Sequence, residues 1–134
     1  MRNNRGASAL EFALTLPVVM IVLAGILEYG WYLFQLANVV HALRDGTRIG
    51  VTVPLDHPTP PIERAESHAR AVMTGLGVPC EEEGGCVVTA VIAPGEEFDI
   101  LNLSIEVEYT PIVGLLPAPA LLQGSFTMMM QEQG

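Results

Sequence analysis

The chain has 134 residues, 6 Arg and no Lys against 15 Asp and Glu, and a formal net charge of −9. Half of the residues are hydrophobic and the mean hydropathy is +0.41, high for an ordinary soluble domain. The length allows one domain, the charge excludes a nucleic-acid partner, and the lack of lysine excludes a Schiff base or a P-loop.

The apolar residues are concentrated near the start. Phe12 to Leu27 carries no charge in sixteen residues; Glu28 interrupts the run, and YGWYLF extends it to Phe34. As one helix, the 23 residues from Phe12 to Phe34 would be about 34 Å long. A bilayer core is about 30 Å thick, so the stretch is long enough to span with some tilt. Tyr29, Trp31 and Tyr32 cluster at its distal end, where amphipathic rings suit a membrane–water interface. A cleaved secretory signal is the competing reading, because Arg2 and Arg5 form a positive leader. No A-x-A site follows, and Ile26 stands where a lipoprotein signal needs cysteine. The segment is expected to stay and to contact membrane lipid.

After Phe34 the helical spacing continues. Leu36, Val39, Val40, Leu43 and Thr47 are expected on one face, with Asn38, His41, Asp45 and Arg48 on the other. One helix from about Ser8 to Ile49 results, with Pro17 as a kink or local break and Gly50 as a terminator. Val51 to Pro61, with four prolines, is a linker. Thr59 as cap and Pro61 at an early position open a second helix reaching about Leu76. Its apolar stripe is Ile62, Ala65, Ala69, Val72, Met73 and Leu76; Glu63, Glu66 and Arg70 face away, and Gly75 and Gly77 stop it. The stripe is expected to cover one face of a sheet.

Cys80 and Cys86 enclose a short acidic loop, EEEGG. So close a pair in an anchored chain reads as an extracytoplasmic disulfide, since no histidine stands near it and five intervening residues do not match zinc spacing. Three strands follow: Cys86 to Ala93; Leu103 to Tyr109, with Leu103, Ile105, Val107 and Tyr109 on one face; and about Gly124 to Gln131, with Phe126, Met128 and Met130 on one face. A Pro- and Gly-rich loop spans Thr110 to Pro119. The class is α+β: a long membrane-spanning N-terminal helix, a second amphipathic helix and a three-stranded antiparallel meander with one wet face.

Catalytic motifs are lacking. His41, His57 and His68 are scattered and read as surface residues; Glu81 to Glu83 lack the ligand alternation of a calcium loop; there is no nucleophile elbow and no glycine-rich phosphate loop. No enzyme, cofactor or metal is expected.

Glu11 stands directly before the apolar run, where an unpaired carboxylate is costly in hydrocarbon. A headgroup position or a helix N-terminal acid accounts for it in the simplest way. Its surroundings offer more: a short basic leader, Gly6, four small or apolar residues from Ala7 to Leu10, Glu11, then an unbroken apolar helix. This order resembles the class III signal of type IV prepilins. Together with the distal aromatics and ALRDGTRIG, the first fifty residues or so resemble the TadE-like pseudopilins of tight-adherence (Tad, type IVc) pilus systems.

The resemblance implies cleavage between Gly6 and Ala7 by a membrane-embedded prepilin peptidase acting on the cytoplasmic side. Glu11 then becomes the fifth residue of the mature chain. Ala7 stands where many prepilins carry phenylalanine, so cleavage is carried over and N-methylation is not. The implied organisation is a leader at 1–6, a transmembrane helix at 7–34, and an extracytoplasmic pilin-like domain at 35–134. Implied partners are other pilin-like subunits and the assembly platform of the bacterial inner membrane. An uncleaved single-pass anchor presenting a small binding domain is the alternative.

Overall fold

A computed structural model describes residues 5–54, 56–78, 80, 85–95, 98–114 and 117–130. Arg2, the acidic run Glu81 to Glu83 and the expected end of the last strand at Gln131 lie outside these residues. The elements are α1 (Arg5–Val51), α2 (Pro61–Gly75), β1 (Cys86–Ala93), β2 (Ile100–Glu108) and β3 (Leu121–Met129). The fold is α+β, with a sheet in the order β1-β2-β3 and both pairs antiparallel. Two compact units divide the chain: Met1–Leu33 with Pro111–Ala118, and Phe34–Thr110 with Pro119–Gly134.

In the second unit the sheet follows the period-2 pattern. Leu101, Leu103, Ile105 and Val107 of β2 are buried, facing Met128, Phe126, Gly124 and Leu122 across the ladder to β3. On β1, Val88 and Ala90 share that inner face. The other face is wet, with Thr89, Asn102, Glu106, Gln123 and Thr127 exposed or paired to one another, as Asn102 Nδ2 is to Thr127 Oγ1 at 3.0 Å. The third strand starts three residues before its expected start at Gly124, yet its face assignment holds. Tyr109 lies one residue beyond β2, buried as expected, and its N–H bonds to the Ala120 carbonyl at 2.9 Å.

The C-terminal half of α1 covers the inner face at close range. A Cβ on Gly46 would stand 2.8 Å from Leu103 Cδ2 and 2.9 Å from Ala69 Cβ. One on Gly50 would stand 2.5 Å from Leu101 Cδ2 and 2.8 Å from Ala65 Cβ. Gly46 and Gly50 thus meet Ala65 and Ala69, two pairs of small residues four apart that bring the helix backbones together. Gly50 has no positive φ and α1 runs on to Val51, so it acts as a contact surface and not as the expected terminator. Gly124 lets Leu43 and Val39 of α1 approach β3, where a Cβ would stand 2.9 Å from Leu43 Cδ1. Burial of Leu43, Leu101, Leu103 and Ile105 contributes about 1.5–3 kcal/mol each.

Two details of α1 depart from the expected faces. Asn38 is buried and Val40 is exposed, because the contact stripe runs through Val39, Ala42, Leu43, Gly46, Thr47 and Gly50 and draws in its near side. Asn38 Nδ2 has no hydrogen-bond partner among the described residues, whereas buried Thr47 returns its hydroxyl to the Leu43 carbonyl at 2.7 Å. The helix passes through Pro17 as a single element.

In α2 the N-cap is Pro60 with Pro61 at N1, and no side chain caps the end; Thr59 instead donates its N–H to His57 Nδ1 at 3.1 Å. The C-terminus closes in a Schellman arrangement, with Gly77 at φ +81°, Gly77 N–H on the Thr74 carbonyl and Val78 N–H on the Met73 carbonyl, each at 3.0 Å. Ala65, Ala69 and Met73 are buried as expected, while Leu76 is exposed. Glu66 and Arg70 do not face away. Glu66 Oε1 accepts the Ala90 N–H at 2.8 Å and Arg70 donates to the Val88 carbonyl at 3.3 Å, so the pair caps the free edge of β1.

Candidate functional site

The first unit carries the features that composition singled out. Leu10, Phe12, Leu14, Val18, Val19, Met20, Ile21 and Val22 are all at least half exposed, and the most apolar eighteen-residue window of α1 has no buried residue. By length and composition this helix is able to cross a membrane. So much exposed apolar surface is unfavourable in water and requires lipid or another apolar partner.

Gly6 lies in the first turns of this helix, exposed, with nothing within 4 Å of where a Cβ would be and no positive φ. Its own fold places no demand for glycine there. Glu11 is exposed one turn further on, and among the described residues it makes no hydrogen bond or ion pair within the chain. Sixteen residues of apolar helix then separate it from a second carboxylate.

That second carboxylate, Glu28, is 1% exposed. Its Oε2 accepts the N–H of Val113 at 2.8 Å and of Gly114 at 3.1 Å. Gly114 adopts φ +67°, the left-handed conformation that turns two successive amides toward one acceptor. Tyr29 adds a longer bond from its hydroxyl to the Pro117 carbonyl at 3.4 Å. The loop after β2 is therefore fastened to α1 through two adjacent helix residues. In the sequence Glu28 reads only as an interruption of the apolar run. The missed signal was the cost of an acid in such a run, which calls for a partner, and the glycine in the Pro-rich loop supplied it.

Cys80 and Cys86 are joined, with Cα atoms 4.9 Å apart, within the normal span for a disulfide. The bond ties the segment after α2 to the first residue of β1. Chemistry of other kinds finds little support. His41 faces Asp45 at 3.9 Å on the surface of α1, His57 receives the Thr59 amide, and no cluster of three or more metal-ligating side chains occurs among the described residues. A cleft of about 300 Å³ lined in part by Gln35, Val78 and Val107 carries, among the described residues, one ionisable side chain, Glu108.

Residues 6–48 match the family model of the TadE-like proteins. The matched segment is about a third of the chain. It begins at Gly6, takes in Glu11 and Glu28, and ends within the stretch of α1 that packs on the sheet. Searches of curated proteins and of solved structures gave no match. The TadE-like segment is thus the part of α1 that is exposed and apolar, joined to the part that seats the helix on its domain.

Proposed function

We propose that this chain is a minor pilin-like subunit that assembles or initiates a Tad (type IVc) pilus, held in the bacterial inner membrane by α1 with its disulfide-bonded domain outside the cytoplasm. The observation that carries the reading is an apolar helix segment, with no buried residue in its most apolar eighteen-residue window, that opens with Gly6 and Glu11 in a stretch matching the TadE-like family model. An anchor needs only apolar length. Among the described residues nothing packs on Gly6 and nothing pairs with Glu11, five residues after it, whereas both have a role in a processed pilin.

In this mechanism a prepilin peptidase cleaves between Gly6 and Ala7, releasing the basic leader and creating an α-amino group on Ala7. The helix then leaves the bilayer sideways into a bundle of like helices. There the Glu11 carboxylate of one subunit pairs with the new α-amino group of a neighbour, which compensates both charges where water is scarce and sets axial register. Leaving either charge alone in such surroundings costs about 3–5 kcal/mol.

The test is Glu11→Ala in cells that make the pilus. Expression, membrane insertion and cleavage are expected to persist, while co-purification with other pilin-like subunits and fibre formation fall. Fibres like those of the wild type would contradict the pairing and favour an uncleaved anchor, in which Glu11 has no amino partner at that depth.

A further inference from the structure

The loop Pro111–Ala118 has the features of a second membrane contact. Leu10 and Glu28 are separated along α1 by about 27 Å, close to the roughly 30 Å of a hydrocarbon core. With the apolar stretch spanning, Glu28 stands where the helix emerges, and so does whatever Glu28 holds. It holds Val113 and Gly114 through their backbone N–H groups at 2.8 and 3.1 Å. Those bonds help to satisfy a carboxylate at the edge of the acyl region, and they set Val113 and Gly114 beside it.

The composition of the loop fits that depth. Pro111 to Ala118 contains no ionisable side chain, in a chain of net charge −9. Ile112 is 60% exposed. On the turn of α1 that precedes Glu28, Ile26 and Leu27 are 64% and 62% exposed, so exposed apolar side chains stand on both the helix and the loop that Glu28 joins. Tyr29 bonds to the loop at Pro117, and an interfacial tyrosine with its ring half in the acyl region keeps its hydroxyl at headgroup level. A bilayer of zwitterionic and anionic lipid accepts an uncharged apolar loop at this level and repels an acidic one.

We infer that the described part of the loop, residues 111–114 and 117–118, is an interfacial membrane element, pinned by Glu28 and Tyr29, whose Ile112 side chain enters the headgroup–acyl boundary. The inference rests on the membrane-spanning reading of α1. Its consequence is a first unit that meets the bilayer through two segments, the helix and the loop, with Glu28 as the catch between them.

Spin labels test it in the full-length, disulfide-bonded chain reconstituted into vesicles of phosphatidylethanolamine and phosphatidylglycerol. One variant carries the label at Ile112→Cys and another at Val19→Cys in the apolar helix. Collision with oxygen, which partitions into acyl chains, is compared with collision with a water-soluble nickel chelate. Both positions are expected to favour oxygen, Val19→Cys more strongly. Adding Glu28→Ala is expected to shift Ile112→Cys several-fold toward nickel and leave Val19→Cys unchanged; Glu28→Gln, which keeps an acceptor oxygen, is expected to shift it less. Oxygen at Val19→Cys with nickel at Ile112→Cys would overturn the interfacial loop and spare the membrane helix. Nickel at both would overturn the spanning reading itself. Spin–spin broadening at Ile112→Cys that grows with the protein-to-lipid ratio would place a second copy on the loop, and it too would overturn the inference. An unchanged Ile112→Cys signal in Glu28→Ala would remove Glu28 as the pin.

Discussion

Glu66 of α2 accepts the backbone N–H of Ala90 on β1 at 2.8 Å, so a helix side chain occupies the hydrogen-bonding edge of the sheet. Arg70, one turn later, takes the Val88 carbonyl at 3.3 Å and lies 3.8 Å from Glu66. An open strand edge is a template for unintended pairing with other chains. Here two ladder positions of β1 are already filled. The ion pair itself adds little, since both side chains remain partly exposed. The hydrogen bonds to backbone do more.

Glu66→Ala is expected to destabilise the domain by about 1–3 kcal/mol, because a part-buried amide loses its charged acceptor. Glu66→Gln is expected to lose less. Thermal melting gives the stability, and hydrogen exchange at Ala90 gives the local effect. An unchanged melt together with unchanged protection at Ala90 would remove this edge contact from the account.

Gly46 is required by space rather than by conformation. In a free helix Gly→Ala gains about 1 kcal/mol. At Gly46 the added Cβ would meet Leu103 Cδ2 at 2.8 Å and the Ala65 carbonyl oxygen at 2.9 Å, and the latter is backbone that cannot swing aside. Gly46→Ala is therefore expected to destabilise by about 1–3 kcal/mol, the range for overpacking. Gly75, in the last turn of α2 with nothing within 4 Å, provides the contrast. Gly75→Ala is expected to be neutral or stabilising in the same melt, and equal effects at the two sites would contradict the close crossing of α1 and α2.

The disulfide closes a short loop, six residues apart in sequence. Chain-entropy arithmetic for so short a loop gives about 2–3 kcal/mol. Cys80→Ser with Cys86→Ser is expected to lower stability by that amount while β1 and β2 persist, since the Glu108 N–H still reaches the Gly85 carbonyl at 2.8 Å. Protein isolated without reductant is expected to show no free thiol. Two reactive thiols would contradict both the bond and export of the domain to an oxidising compartment.

The elements were legible where one local pattern dominates. β1 could be read to the residue from its β-branched run, and the alternation in β2 places Leu103, Ile105, Val107 and Tyr109 on the buried face that the structure shows. What escaped was set by tertiary neighbours. Periodicity assigns Glu66 and Arg70 to a solvent face, but the free edge of β1 is a polar partner that periodicity does not represent. Gly50 reads as a stop signal because glycine often ends helices, whereas here it makes room for Leu101 and Ala65. Thr59 reads as a cap, but His57 takes its amide and the helix opens on Pro60 and Pro61. Glu28 was the largest omission, since its partners lie 85 and 86 residues further along the chain. The proposed processing residues Gly6 and Ala7 and the carboxylate Glu11 are legible only as an ordered motif, because among the described residues nothing lies within 4 Å of a Cβ at Gly6 and Glu11 makes no hydrogen bond or ion pair.

The most direct measurement of the central claim is the intact mass of the protein extracted from membranes of cells with and without the cognate prepilin peptidase. The account predicts a chain beginning at Ala7 when the peptidase is present, an uncleaved chain retaining the leader through Gly6 when it is absent, and retention of the leader in Gly6→Leu even with the peptidase. An N-terminus at Met1 or Arg2 in cells that contain the active peptidase would contradict it.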